Sequence, residues 1–177
     1  PYFRALSETE GVTAVFEGHD VVMLGSNNYL GLTTDQRVRN AAIEAVKRYG
    51  TSVTGSRFLN GTLELHLELE RRLAKFVGME AAVVFSTGYQ SNVGAISAIA
   101  QKGDTVILDK DDHASIVDGV TMSGADMKRF RHNSIDSLES VLSKLPDDGG
   151  KLVIVDGVYS MGGDIAPLPE IVAVCKK

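Results

Sequence analysis

The chain has 177 residues, of which 44% are hydrophobic and 23% are charged, a composition typical of a globular domain. It carries 23 acidic against 18 basic residues, a formal net charge of -5, and no Lys/Arg cluster longer than a pair, which argues against a nucleic-acid surface. No stretch approaches the roughly 20 apolar residues of a membrane span, and the single Cys175 excludes an internal disulfide, so we expect a reduced, cytoplasmic setting.

The N-terminal third predicts short strands followed by two helices. Residues 12–24 alternate around a turn at 17–20, and a Gly- and Asn-rich segment follows at 25–32. Asp35 is expected to cap a helix that carries apolar residues on one face, and a second helix is expected from about Thr62, with apolar residues three and four apart.

From residue 81 onward, short apolar runs alternate with helical patterns. Strands are predicted at 81–85, 105–108, 127–130 and 152–155, and helices after Gly88, near His113, after the cap Ser134 and at Pro169. Strands that are apolar on both faces and separated by helices are typical of a parallel sheet covered on both sides, so the fold class is α/β. Ligands of such sheets bind beyond the carboxyl ends of the strands, which directs attention to the residues after Phe85, Leu108 and Val155.

The first strand end reads Ser86-Thr87-Gly88-Tyr89-Gln90-Ser91-Asn92 and leads into a helix. Hydroxyls, a glycine and free N–H groups at a helix N-terminus favour an anion, most naturally a phosphate. The alternative is an ordinary strand-to-helix turn capped by Thr87 or Ser86. Neither a Walker loop nor a dinucleotide-binding fingerprint is present in the sequence.

The second strand end reads Asp109-Lys110-Asp111-Asp112-His113. Asp112 suits a helix N-cap, which would place His113 in the first helical turn, where the helix dipole favours a neutral imidazole. The alternative is a satisfied surface histidine. Lys110 sits among three aspartates, which oppose the neutral amine that a Schiff-base lysine needs.

The third strand end runs from Asp156 to Asp164 and contains three glycines. Asp156 closes the strand, Ser160 offers a hydroxyl at the sheet edge, and the glycines allow close approach of the backbone. The alternative is a Gly-rich loop with a capping aspartate. We predict no metal site here, because no His or Cys lies nearby and the acids are dispersed.

Six segments in this order and spacing resemble the α-oxoamine synthases, a family of fold-type-I enzymes that use pyridoxal 5'-phosphate (PLP). The segments are 26–32, 55–62, 85–89, 113–119, 130–133 and 156–168. The segments 55–62, 85–89, 130–134 and 157–161 favour the serine palmitoyltransferase branch, with the 8-amino-7-oxononanoate synthases next and the 2-amino-3-ketobutyrate CoA ligases as a further alternative.

The resemblance implies a homodimer with an aminotransferase-like large domain, of which residues 33–177 would form part after an N-terminal segment at 1–32. It also implies that an amino acid condenses with an acyl-CoA, losing CO₂ and CoA. For the favoured branch the substrates would be L-serine and palmitoyl-CoA, giving 3-ketosphinganine for sphingolipid biosynthesis. In these enzymes PLP stabilises a carbanion, and the protein supplies binding and orientation.

The resemblance also assigns roles residue by residue. Gly88 and Tyr89 would lie at the cofactor phosphate, and His113 would stack on the ring and act as the catalytic residue that orients the amino acid. Asp156 and Ser160 complete the expected cofactor site. The substrate side would hold two pairs, Asn28 with Tyr29 and Ser56 with Arg57, the second pair alternatively serving the partner's site.

In this family the Schiff-base lysine and the aspartate that pairs with the pyridinium follow the last of these segments. Lys176 and Lys177 stand two elements too early for that role. We therefore expect the chain to be an N-terminal part of a longer enzyme and to be inactive alone. Two alternatives remain: a standalone phosphate-binding α/β module, and a partner subunit without catalytic activity.

Overall fold

The computed structural model of the protein describes residues 3–177. The chain separates into two compact units, of which the first ends at Leu69 and the second begins at Glu70. The division into 1–32 and 33–177 that the sequence suggested concerns the larger enzyme and stays a prediction. Among the helices of residues 3–177, none combines the length and the apolar character that crossing a membrane requires.

The first unit contains a small antiparallel sheet and a long helix. Strands β1 (Glu8–Glu10), β2 (Thr13–Phe16) and β3 (His19–Val22) pair in that order. The turn at residues 17–20 therefore joins two strands as expected, whereas β1 was not predicted. Helix α1 (Gln36–Tyr49) begins at the predicted cap, where the Asp35 carboxylate accepts the Arg37 N–H at 2.8 Å.

Helix α2 (Glu64–Val77) contains the boundary between the units and starts two residues after the predicted position. The second unit then continues with α3 (Gly88–Ile99), β4 (Thr105–Asp109), α4 (Ala114–Ser123), β5 (Asp126–Phe130), α5 (Ile135–Leu142), β6 (Lys151–Ile154) and α6 (Leu168–Cys175). Its three strands form a parallel sheet in the order β5-β4-β6. The α/β class predicted from the sequence is confirmed.

Strand β4 lies in the centre of the sheet and is buried on both faces. Val106 and Leu108 point to one face, where α3 and α4 pack through Ile96 and Val120. Ile107 points to the other face, against the apolar side of α5 and α6. This alternation explains why residues 106–108 of β4 are all apolar. Because the three strands run parallel in the order β5-β4-β6, the carboxyl end of β4 lies between the carboxyl ends of its two neighbours.

The strand predicted at residues 81–85 is wrong. This segment forms no ladder with any strand of the described chain, Val83 is 74% exposed, and the Val84 N–H donates instead to the Glu70 carboxylate at 3.0 Å. The described sheet consists of β5, β4 and β6, and residues 81–85 are hydrogen-bonded to none of these strands. The apolar composition of this segment alone could not reveal that.

Candidate functional site

Residues from the three predicted strand-end loops line one cavity of about 320 Å³ in the second unit. This volume lies at the lower end of the range of small-molecule sites. Five of the predicted residues meet there, Gly88, Tyr89, His113, Asp156 and Ser160. Asn92, Ser115 and Val158 complete the lining. Within residues 3–177 no group of three or more His, Cys, Asp or Glu side chains is arranged to hold a metal ion.

Helix α3 opens onto this cavity with its N-terminus. The Thr87 side chain caps the helix by accepting the Gln90 N–H at 3.1 Å, as one of the two capping alternatives predicted. Among the described residues, no acceptor takes the N–H groups of Gly88 and Tyr89. A Cβ atom built on Gly88 would meet nothing within 4 Å. The helix therefore offers two unsatisfied donors and open space, which suits an anion.

The Tyr89 ring is held at the cavity from its far end. Its hydroxyl donates to the Asp118 carboxylate on α4 at 2.9 Å. That hydrogen bond, with the negative charge of Asp118 and partial burial, raises the pKa of Tyr89, so the phenol stays neutral. The ring is half exposed and available for contact with a bound group.

The N-cap of α4 is His113 and not Asp112, so the expected cap is wrong by one residue. The His113 Nδ1 atom accepts the Ser115 N–H at 3.2 Å, and the His113 N–H donates to the Asp156 carboxylate at 2.9 Å. The imidazole thus stands at the start of the helix rather than inside its first turn. Its Nδ1 is held by the first turn of α4, and the His113 backbone is held by Asp156 after β6.

Asp112 is used to join two strand ends. Its two carboxylate oxygens accept the N–H groups of Asp109, at 2.9 Å, and of Asp156, at 2.8 Å. Burial raises the pKa of Asp112 to about 7, helped by the negative charges of Asp156 and Asp109 and opposed by the two backbone hydrogen bonds. The carboxyl ends of β4 and β6 are therefore fixed to each other directly below the cavity.

Ser160 is carried by a tight hairpin that follows β6. Val158 and Ile165 face each other in an antiparallel bridge, and the Tyr159 N–H donates to the Asp164 carbonyl at 2.9 Å. Gly163 closes the turn with a φ of 73°, a conformation that favours glycine. Ser160 is exposed at the cavity, and its hydroxyl makes no hydrogen bond to any of the described residues.

A second polar cluster lies behind this hairpin. Both ring nitrogens of His132 face carboxylates, Nδ1 facing Asp109 at 2.9 Å and Nε2 facing Asp164 at 2.6 Å. Hydrogen bonds to Asp109 and Asp164 raise the pKa of His132, which favours the imidazolium. Asn133 joins them, donating its N–H to Asp109 at 2.8 Å and its amide N–H to Asp164 at 2.7 Å. These bonds attach the hairpin to the end of β4.

Tyr159 separates this cluster from the sheet. Its ring meets the His132 ring edge-on, with centroids 4.5 Å apart and an interplanar angle of 84°. The side chain is 2% exposed, and its hydroxyl lies near the Asp109 carboxylate without a hydrogen bond of good geometry to any group in residues 3–177. Burial and the nearby charge of Asp109 raise the pKa of Tyr159. Despite burial, backbone N–H groups from Asp111 and Asn133 keep the pKa of Asp109 low.

The four residues predicted for the substrate side belong to the first unit. The Asn28 amide bridges to Thr33, donating to its hydroxyl at 2.8 Å, while Tyr29 is 84% exposed. Ser56 accepts the Gly61 N–H at 2.8 Å through its carbonyl, and Arg57 donates from Nε to the Thr62 hydroxyl at 3.1 Å. These contacts shape two compact turns, and the role of the four residues stays a prediction.

Asn92 and Ser115 also line the cavity, although no sequence pattern assigned either of them a role. Ser115 is 1% exposed, and its hydroxyl accepts the Asn92 amide N–H at 2.9 Å and lies 2.7 Å from the His113 Nδ1. The only sequence signal was the position of Ser115 two residues after His113. Asn92 comes from another helix, so no local pattern connects it to the histidine.

Comparison with known proteins extends these observations to the whole chain. The model of the aminotransferase class I and II family matches residues 19–177. Serine palmitoyltransferase from Sphingobacterium spiritivorum is 47% identical over 173 residues, which cover 98% of this chain and 43% of that protein. The 8-amino-7-oxononanoate synthase of Geobacter sulfurreducens is 48% identical over 171 residues, 97% of this chain and 44% of that protein.

A solved structure is similarly close. A Lys-to-Ala variant of serine palmitoyltransferase from S. paucimobilis, with a bound PLP–myriocin aldimine, superposes with a TM-score of 0.93 and is 48% identical. The match covers 97% of this chain and 44% of that one. The chain thus spans less than half the length of the relatives it matches.

Proposed function

The chain belongs to the aminotransferase class I and II family, and from that premise we propose that the full-length protein is a PLP-dependent acyltransferase. It would condense L-serine with palmitoyl-CoA, releasing CO₂ and CoA, in the cytoplasm and as a homodimer. The resemblance of six ordered segments to the α-oxoamine synthases and the identity of nearly half of all positions to serine palmitoyltransferases support this reaction.

One observation carries the proposal: the loop after residues 81–85 and the loops after β4 and β6 meet in a single cavity. Their chemistry fits PLP. The free N–H groups of Gly88 and Tyr89 at the N-terminus of α3 suit its phosphate, because donors and the helix dipole both favour an anion. When bound, PLP supplies an electron sink for a carbanion at the amino acid Cα.

The other cavity residues would bind and orient. His113 contributes a flat ring that Ser115 on α4 holds at Nδ1, while Asp156 holds the His113 backbone N–H, an arrangement that suits stacking against a pyridine. The free hydroxyl of Ser160 suits a polar edge of the same ring. Because these groups are held by sheet and helix ends, they can hold the amino acid at a fixed angle, an effect that contributes several kcal/mol in oriented reactions.

The amino acid and the acyl group depend on parts of the protein outside this cavity. We assign Asn28, Tyr29, Ser56 and Arg57 to the substrate side, with the second pair in either the same or the partner's site. The Schiff-base lysine would come from the rest of the full-length protein, so residues 1–177 by themselves are expected to be inactive. A second candidate is 8-amino-7-oxononanoate synthase, favoured by the 48% identity to the Geobacter enzyme.

Spectroscopy of the full-length protein tests the proposal. With PLP we expect an absorbance band at the edge of the visible range that borohydride abolishes, and a spectral change with L-serine but not with L-alanine or glycine. Palmitoyl-CoA should then release free CoA thiol. A response to L-alanine alone assigns the second candidate, and a protein without the band contradicts the acyltransferase proposal.

A charge at the phosphate position sharpens the test. Gly88→Asp places a carboxylate at the N-terminus of α3, where it should weaken PLP binding at least tenfold through like-charge repulsion, about 1.4 kcal/mol or more. The matched control is Ala98→Asp, which adds the same charge at an exposed position of the same helix. Equal PLP affinity of both variants would place the cofactor elsewhere.

A further inference from the structure

The proton on the His113 imidazole has a position that the surrounding groups determine. The Ser115 N–H lies 3.2 Å from Nδ1, and a backbone N–H can only donate. Nδ1 therefore accepts and carries no proton. In a neutral imidazole the proton then resides on Nε2, for which the described part of the chain provides no partner.

The Ser115 hydroxyl reinforces this arrangement. It lies 2.7 Å from the same Nδ1 and receives the Asn92 amide N–H at 2.9 Å. Since Asn92 donates into the hydroxyl oxygen, the hydroxyl proton is directed at His113. Ser115 is 1% exposed, so water does not compete for these bonds, and bonds in series strengthen one another in such surroundings.

The close packing of α3 against α4 brings the Asn92 amide within hydrogen-bonding distance of the Ser115 hydroxyl. Gly119 lies one turn after Ser115 on α4, and a Cβ atom there would stand 3.2 Å from the Asn92 carbonyl and 3.1 Å from the Ile96 Cβ. Because Gly119 has no side chain, α3 approaches α4 closely enough for Asn92 to contact Ser115. The close approach therefore serves the cavity as well as the core.

We propose that Asn92 and Ser115 are positioning residues that hold the proton of the neutral His113 imidazole on Nε2. The histidine then presents an N–H donor to the cavity, suited to an anionic group such as the carboxylate of the amino acid substrate. The part of this proposal that concerns the substrate rests on the proposed function. The part that concerns the proton depends only on residues of this chain.

Nitrogen NMR of the full-length protein labelled with ¹⁵N-histidine tests the proton position, with His113→Gln identifying the resonances. We expect a protonated Nε2 and an unprotonated Nδ1 at neutral pH. Ser115→Ala should lower the fraction of this tautomer. Asn92→Asp should reverse the relay, because its carboxylate accepts the serine proton, and so move protonation toward Nδ1.

The control is Ser97→Ala, whose hydroxyl bonds to the Val93 carbonyl on the exposed side of α3. It should leave the His113 resonances unchanged. A wild-type histidine protonated on Nδ1 overturns the proposal. The same holds if Ser115→Ala and Asn92→Asp both reproduce the wild-type spectrum.

Titration with L-serine tests the consequence for binding. In the PLP-loaded protein Ser115→Ala should raise the Kd for L-serine on the order of tenfold, as for one weakened hydrogen bond to a charged group. An unchanged Kd overturns the substrate part. A protein that binds no PLP but shows the expected tautomer refutes the proposed function while the proton assignment stands.

Discussion

Two histidines stand near the carboxyl ends of β4 and β5, and their surroundings are opposite. His113 faces a hydrogen-bond donor at Nδ1, the Ser115 N–H, and opens onto the cavity. His132 faces carboxylates at both nitrogens, those of Asp109 and Asp164. The hydrogen bonds to these carboxylates raise the pKa of His132, which favours its imidazolium form.

The two histidines show how one type of side chain serves two purposes at one edge of a sheet. A histidine between two carboxylates acts as a clamp, here joining the end of β4 to the hairpin that carries Ser160. A histidine that accepts from its own helix keeps one nitrogen free for a ligand. The types of the neighbouring groups, donors or acceptors, therefore separate the structural residue from the site residue.

The largest effect is expected from removal of the His113 side chain. His113→Ala should lower kcat/KM on the order of 10²-fold through lost orientation of the substrate, and cost stability only as a lost helix cap does, about 0.5–2 kcal/mol. Release of CoA from palmitoyl-CoA with L-serine, together with urea unfolding, measures both. A variant that loses stability but retains turnover would show that His113 is merely structural.

The clamp is tested by His132→Gln, which cannot be protonated. Because the pKa of His132 is raised in the folded protein, its stabilisation is complete below the ordinary pKa of about 6.5 and is lost as the pH rises through the folded value. The wild type should therefore exceed the variant in stability at pH 6 and approach it in alkaline buffer. Urea unfolding between pH 6 and 9 measures this.

Protonation of Asp109 at acidic pH is expected to remove the ion pair with His132. The pKa of Asp109 is lowered, so its contribution is present above about 3.8 and lost as the pH falls through the folded value. Asp111, 3.8 Å from the His132 ring, adds a third carboxylate of the same sign. A stability difference between wild type and His132→Gln that grows toward alkaline pH contradicts the clamp.

The smallest effect is expected at the contact between α3 and α4. Gly119→Ala gains roughly 1 kcal/mol of helix propensity but overpacks against Ile96 and the Asn92 carbonyl, which costs about 1–3 kcal/mol. We expect the free energy of unfolding to fall by about 1 kcal/mol and the fraction of His113 protonated on Nε2 to decrease slightly. Thr121→Ala, exposed on the same helix, is the control. Increased stability of Gly119→Ala would show that the helices yield without cost.

Local features of the fold were predictable from the sequence. Asp35, Thr87 and Ser134 cap helices as expected, because a cap involves only the next three residues. The similarity to serine palmitoyltransferases predicted from six ordered segments is confirmed by the relatives. The loops after β4 and β6 meet as the rule for parallel sheets predicts, and the loop at Gly88 joins them although residues 81–85 form no strand.

The failed predictions involve partners distant in sequence. Aspartate is a residue type that often caps helices, but the Asp112 carboxylate accepts the N–H of Asp156, 44 residues later. His113 caps the helix instead. The relay from Asn92 to Ser115 joins two helices, so it has no local sequence pattern. Residues 81–85 are apolar like a strand, yet they pair with no strand of the described sheet.

A crystal structure of the full-length protein with PLP tests the central claim most directly, namely that the strand-end loops form one cofactor pocket. We predict the phosphate within hydrogen-bonding distance of the Gly88 and Tyr89 N–H groups, and the His113 ring stacked on the pyridine with Ser160 at its edge. PLP bound in another crevice, with this cavity filled only by solvent, would contradict the account.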